Sequence, residues 1–172
     1  MPKKIYTLGH STRTTEAFIA LLQAHGIQKV IDIRTIPKSR YCPQFNQLRL
    51  QRALRKAKIG YLHLKELGGL RHARKDSPNT TWINASFRGF ADYMQTPEFG
   101  EALKKLEKIA QKKRCALMCS EAVPWRCHRS LVGDALTVKH WKVLHIQSKK
   151  TAKLHTLTPF LRVRAKRLIY DG

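Results

Sequence analysis

Between Cys115 and Asp134 the chain sets two thiols, a carboxylate, an imidazole and two guanidiniums in close succession: Cys119-Ser120-Glu121-Ala-Val-Pro124-Trp-Arg126-Cys127-His128-Arg129-Ser130. A thiol near a helix N-terminus and near Arg126 or Arg129 has a lowered pKa, which suits Cys119 to nucleophilic or redox chemistry. The ordinary alternative is that Cys119 is a small buried hydrophobe at a strand end. Cysteine phosphatases and sulfurtransferases place a Cys, a tight loop and an Arg similarly. Here the Cys119–Arg126 spacing is one residue too long for the phosphatase loop, and no glycine lets the backbone curl round a phosphate.

Glu121 is the lone carboxylate of this basic region, and it is a candidate general base or nucleophile towards a sugar, or an activator of water. The competing role is structural, with Glu121 paired to Arg34 or Arg129 to hold two loops together. His10, in Gly9-His10-Ser11, is a third catalytic candidate. Metal binding would draw on Cys119, Cys127, His128 and His10. Cys127 and His128 are adjacent, about 100° apart if helical, so they do not easily face one ion, and they stand as weak candidates.

Phosphate or substrate contacts are expected from Ser11, Arg34, Arg40, Asn46, Arg88 and Arg129. The stretch from Arg34 to Asn46 mixes Arg34, Lys38 and Arg40 with Tyr41, Gln44, Phe45 and Asn46, a combination suited to gripping phosphates and stacking bases. Phe87-Arg88-Gly89-Phe90 adds another aromatic–arginine pair, although that aromatic spacing is as often core. A loop over 68–86, carrying Arg71, His72, Arg74, Lys75 and Trp82, is longer than most connections and is either mobile or functional.

The elements that must position these groups alternate in type. Ile5–Leu8 reads as a strand, Thr14 caps a helix through Gln23, Gly26 stops it, and Lys29–Ile33 is a second strand. Leu48–Lys58 carries Leu48, Leu50, Leu54 and Ala57 at near-helical spacing, and Gly60–Leu64 is a third strand. Phe87–Gln95 is a short helix, and Thr96-Pro97-Glu98 starts another. Cys115–Cys119 is the fourth strand, Arg126–Val138 a helix, and Lys142–Ile146 the fifth strand. The pattern predicts an α/β three-layer sandwich with a mainly parallel, Rossmann-like five-stranded sheet, in an order such as 3-2-1-4-5. Strands one and four would then be neighbours, with His10 and Glu121 over the crevice where such sheets bind ligands.

These blocks, Tyr6–Thr12, Asp32–Arg40, Pro43–Asn46, Leu67–Gly69, Phe87–Met94 and Cys119-Ser-Glu with Cys127-His-Arg-Ser130, make the chain resemble the bacterial family known as domain of unknown function 488. The ending from Leu157-Thr-Pro-Phe160 to Leu168-Ile-Tyr170 is similar as well. The resemblance implies an α/β fold with the motifs around one site, and it implies no reaction, substrate or cofactor. One departure is Gly133, where the family pattern has alanine; it weakens the helix slightly and is expected to change nothing chemical.

The 172 residues form one expected domain with a basic extension from about 147, since Ala135–Tyr170 contains no acid. Lysine and arginine number 34 against 11 acids, a net +23, which favours a polyanion, nucleic acid or a phosphorylated small molecule, as partner. A generally basic proteome would leave the same signature. No run is long and apolar enough to span a membrane, the start is too weakly apolar for a leader, and four cysteines at 42, 115, 119 and 127 do not form a secreted disulfide framework; a cytoplasmic location is expected. Two functions stay open: an enzyme on a nucleotide or nucleic-acid end, or an accessory nucleic-acid-binding protein. A metal- or thiol-dependent redox protein is a third.

Overall fold

The computed structural model describes residues 3–172; Met1 and Pro2 of the opening segment lie outside them. In chain order the main elements are β1 (Lys4–Gly9), α1 (Thr15–Ala24), β2 (Lys29–Asp32), α2 (Gln47–Lys56), β3 (Gly60–His63), α3 (Ala85–Tyr93), α4 (Pro97–Lys112), β4 (Cys115–Cys119), α5 (Arg129–Val138), β5 (Lys142–Ile146) and β6 (Ala152–Leu154). A separate hairpin joins β7 (Arg162–Arg164) to β8 (Arg167–Ile169).

Alternation along the strands divides the core in two. Ile5, Ile31, Leu117, Cys119 and Val143 face α3, α4 and α5, while Tyr6, Leu8, Val30, Ala116 and Met118 face α1 and α2. The chain is therefore an α/β sandwich with helices on both faces of a mainly parallel sheet. The strand order is β3-β2-β4-β1-β5-β6, which corrects the expected 3-2-1-4-5. Every residue of β4 is buried, so this strand takes the middle of the sheet and separates β2 from β1, leaving half-exposed β3 at an edge. β1 and β4 remain neighbours. The sixth strand pairs antiparallel with β5.

Local chemistry sets most helix ends. Thr14 accepts the Ala17 amide at 3.1 Å and Thr96 that of Phe99 at 3.4 Å. Leu50 and Leu54, four apart, are fully buried, each contributing about 2 kcal/mol. Leu48 falls on the far side of α2 and is 66% exposed, so it is no part of the expected inner stripe. The expected helix from Arg126 starts only at Arg129. Pro124–Arg126 closes a 3₁₀ turn, and extended backbone at Cys127 interrupts before α5 begins.

Candidate functional site

The site grows from three strand ends. His10 N donates to Cys119 O at 2.9 Å, Ser11 N to Ser120 O at 3.0 Å and Ile33 N to Met118 O at 3.0 Å, so pairing continues past the ends of β1, β4 and β2. This brings His10, Arg34 and Glu121 to one edge of the sheet, the C-terminal one. Ser11 turns the chain at φ 49, a left-handed conformation that costs a non-glycine residue about 1 kcal/mol. The loop after β4 lies directly on β1: a Cβ at Gly9 would sit 1.8 Å from Glu121 O. Only glycine allows that approach.

Arg34 is buried and locked. Its Nε and Nη2 donate to the two carboxylate oxygens of Asp32 at 2.9 and 2.8 Å, and Tyr61 OH donates to Asp32 Oδ2 at 2.6 Å. Burial, then the Asp32 charge, push the Tyr61 phenol far above its usual value. Arg34 Nη1 is buried without a hydrogen-bond partner among the described residues. Fork geometry of this kind fixes the guanidinium plane and leaves its remaining edge aimed elsewhere.

His10 stacks on Phe45 with ring centroids 4.3 Å apart, and its Nδ1 lies 2.8 Å from Ser11 O. A carbonyl can only accept, so Nδ1 carries the proton and Nε2, buried and unpartnered among the described residues, presents a lone pair. Burial lowers the pKa of this ring. Arg129 is buried and held by the protein through two of its nitrogens: Nη1 donates to Thr7 Oγ1 at 3.1 Å, and Nη2 to the carbonyls of Glu121 at 2.9 Å and Ala122 at 3.2 Å, while Nε has no partner among the described residues.

The competing structural role for Glu121, a pairing with Arg34 or Arg129, is not the one formed. Arg34 already holds Asp32, and Arg129 grips the Glu121 carbonyl rather than its carboxylate. The Glu121 side chain is exposed, with no hydrogen bond or ion pair among the described residues. Cys127 Sγ donates to Cys119 Sγ at 2.9 Å and lies 3.5 Å from His128 Nδ1. His128 bonds Ile33 O through Nε2 at 2.9 Å, and burial lowers its pKa to about 4. Because Cys127 and His128 precede α5, the expected 100° divergence does not apply. Even so, among the described residues no three His, Cys, Asp or Glu side chains are grouped to hold a metal.

Arg34, Lys38, Cys119, Glu121, Arg126, Cys127 and His128 line one cleft of about 440 Å³, walled by Gly69-Leu70 and by Asn84, Ser86 and Phe87. Arg129 instead lines a neighbouring basin of about 680 Å³ with Trp125, Lys153 and Phe160. His10 and Ser11 are not part of its lining. Arg40 is exposed away from it; Asn46 accepts the Ser39 amide at 2.7 Å, and Arg88 Nε donates to Trp82 O at 2.9 Å. Those last two serve local structure. The long 68–86 loop is tied down by buried Asp92, which accepts from Arg74 N, Ser77 Oγ and Asn79 Nδ2.

Two features escaped the sequence reading. Asn84 caps α3 by accepting from Ser86 N and Phe87 N, and its place before Ala85-Ser86 was the available signal. A buried chain also runs from Asp134 to His155 at 2.8 Å, on to His145 at 2.8 Å, then to Thr7 Oγ1, which Arg129 also contacts. No local spacing announces it. Gly133 is part of that chain's surroundings, since a Cβ there would lie 3.0 Å from His155 Cε1; the glycine makes room for the ring, a packing role beyond its slight weakening of the helix.

Among the described residues no helix is long and apolar enough to cross a membrane. No curated protein and no solved structure matches the chain. Residues 14–136 do match a family, and that span holds α1 through most of α5 and all of the cleft's lining. The chain belongs to the family described as domain of unknown function DUF488.

Proposed function

We propose that the protein is an enzyme, a hydrolase or transferase, acting on a nucleotide or a nucleic-acid end in the cleft at the C-terminal edge of the sheet. One observation carries the reading: Arg34, immobilised on Asp32, keeps one buried donor nitrogen unused and itself lines a cleft that also holds Lys38, Arg126 and the uncommitted carboxylate of Glu121. Buried donors are nearly always satisfied, so an unused one favours an acceptor supplied by a ligand. A phosphate meets that need, with Arg34 as its rigid anchor and Lys38 and Arg126 as mobile cations. Glu121 then acts as general base towards water or a hydroxyl, and His10 has a free lone pair.

The test is a panel of nucleotides and short single strands of DNA and RNA, offered to the wild type and to Glu121→Gln and Arg34→Met variants. Turnover should disappear in Glu121→Gln while binding persists, and Arg34→Met should weaken binding itself. Equal turnover in wild type and Glu121→Gln rejects the enzyme reading.

A second reading, an accessory nucleic-acid-binding protein without catalysis, is favoured by the exposed cations of the β7–β8 hairpin, Arg162, Arg164 and Arg167, which lie outside the cleft. It predicts binding that weakens steeply with salt and is lost through Arg or Lys changes only.

A further inference from the structure

Four cysteines occupy two different environments. Cys42 and Cys115 are buried without a sulfur neighbour, and burial pushes the Cys115 thiol up to about 11. Cys119 and Cys127 are a pair: their sulfurs are 2.9 Å apart, and both residues belong to the cleft's lining. Both belong to the core, at 2% and 7% exposure, yet each keeps a little surface on the cleft. The pair lies where β4 ends and α5 is about to begin, facing the same space as Lys38 and Arg126.

The surroundings make the two thiols unequal. Burial alone would raise Cys119, but the hydrogen bond from Cys127 and the charge of Arg129 outweigh it and bring the thiol below its ordinary value. Cys127, as donor to Cys119 and buried in turn, is pushed well above the ordinary value. The Arg129 amide donates to Cys127 Sγ at 3.4 Å, so the first turn of α5 holds the second sulfur in place. A thiolate beside a protonated thiol, in non-bonded contact at 2.9 Å where a disulfide bond spans about 2.05 Å, is an arrangement suited to thiol–disulfide exchange.

We propose that Cys119 and Cys127 form a dithiol that reduces a small anionic disulfide admitted to the cleft. The Cys119 thiolate attacks one sulfur of R–S–S–R, forming a Cys119–S–S–R mixed disulfide and releasing RS⁻. Cys127, on losing its proton to the departing thiolate or to solvent, attacks Cys119 Sγ. The Cys119–Cys127 bond forms, the Cys119–SR bond breaks and the second RS⁻ leaves. In balance, two protein thiols and one disulfide become one protein disulfide and two small thiols. The substrate's anionic groups are met by Lys38 and Arg126, whose charges favour a carboxylate-bearing disulfide over a neutral one. This activity does not depend on the nucleotide reading, because it uses the cysteines and neither Glu121 nor Arg34.

The experiment uses oxidised glutathione and, for comparison, the uncharged disulfide of 2-mercaptoethanol, with intact-mass and peptide analysis of the folded full chain. Wild type should lose two hydrogens and yield a Cys119–Cys127 cross-linked peptide. A Cys127→Ser variant should instead accumulate a glutathione adduct on Cys119, whereas Cys119→Ser should acquire no adduct at Cys127 in the same time. Glutathione disulfide should react faster than the uncharged one at low salt, with the difference shrinking as salt is added. Alkylation of the native wild type by iodoacetamide needs no variant, and Cys119 should be modified at least roughly tenfold faster than Cys115. Equal modification rates for all four cysteines, or an adduct that prefers Cys42 or Cys115, would overturn the proposal.

Discussion

Asp32 and Arg34 are two residues apart on one strand end, yet they meet through both carboxylate oxygens, at 2.9 and 2.8 Å, with neither side chain more than 5% exposed. A buried pair is worth little as a pair, but removing one member strands the other charge in a low-dielectric site. Asp32→Asn should therefore cost about 3–5 kcal/mol, measured by urea denaturation at neutral pH. A loss below about 1 kcal/mol would mean that Arg34 is held by something other than Asp32.

Glu121 presents the opposite case. Its side chain is exposed and unbonded among the described residues, and only its backbone carbonyl is used, by Arg129 at 2.9 Å. Replacing Glu121 with Gln should leave stability within about 0.5 kcal/mol of wild type. Thermal melts of the two proteins side by side check this, and a marked loss would reveal a structural role for the carboxylate.

Stability should also fall in mild acid. Burial lowers His145 to about 3, helped by its neighbours His155, Arg129 and Lys153, and burial lowers His128 to about 4, against an unfolded value of 6.5. Below pH 6.5 the unfolded chain binds protons that the native rings refuse, so both contributions are present above that pH and drain away as it falls towards 4 and 3. Each ring costs about 1.4 kcal/mol per pH unit, so pH 5.5 should cost roughly 2–3 kcal/mol in total. Urea midpoints between pH 7.5 and 5 measure the slope. A flat or rising profile would show that these rings are protonated in the native state.

Gly133→Ala pits helix propensity against crowding. Alanine would gain about 1 kcal/mol in a free helix. Here the new methyl meets the His155 ring at 3.0–3.2 Å, and that ring is bonded on both sides, to His145 and Asp134, each at 2.8 Å. A ring so held cannot step aside, and overpacking costs about 1–3 kcal/mol. The net change should be a loss of about 1 kcal/mol in chemical denaturation. A gain would mean that His155 moves freely.

What the sequence made legible was whatever is written locally. Thr14 and Thr96 announce their caps, the apolar runs at 29–33 and 115–119 announce buried parallel strands, and Gly9-His10-Ser11 announces a turn at a strand end. Spatial order is different in kind. That β4 slips between β2 and β1 follows from which strand buries both faces most fully, a comparison among strands and not a property of any one of them. The strands β6, β7 and β8 are three residues each and carry Lys153, Arg162, Arg164 and Arg167, so they show no apolar alternation. At the site, the cluster around Cys119 was visible because its members are close in sequence. The partners of Arg34 and Arg129 were not, since a guanidinium's choice between a carboxylate and a carbonyl depends on angles that no spacing records.

Gly9 leaves a final consequence. With Glu121 O where a methyl group would have to be, the bend after β4 rests on bare backbone, and the height of Glu121 above the sheet is fixed by one missing carbon. A larger residue at that position would act as a wedge under the bend, prising Glu121 and the Arg129 clasp apart without touching either side chain. The acid's reach into the cleft is thus tuned from underneath, by a residue that contributes no chemistry of its own.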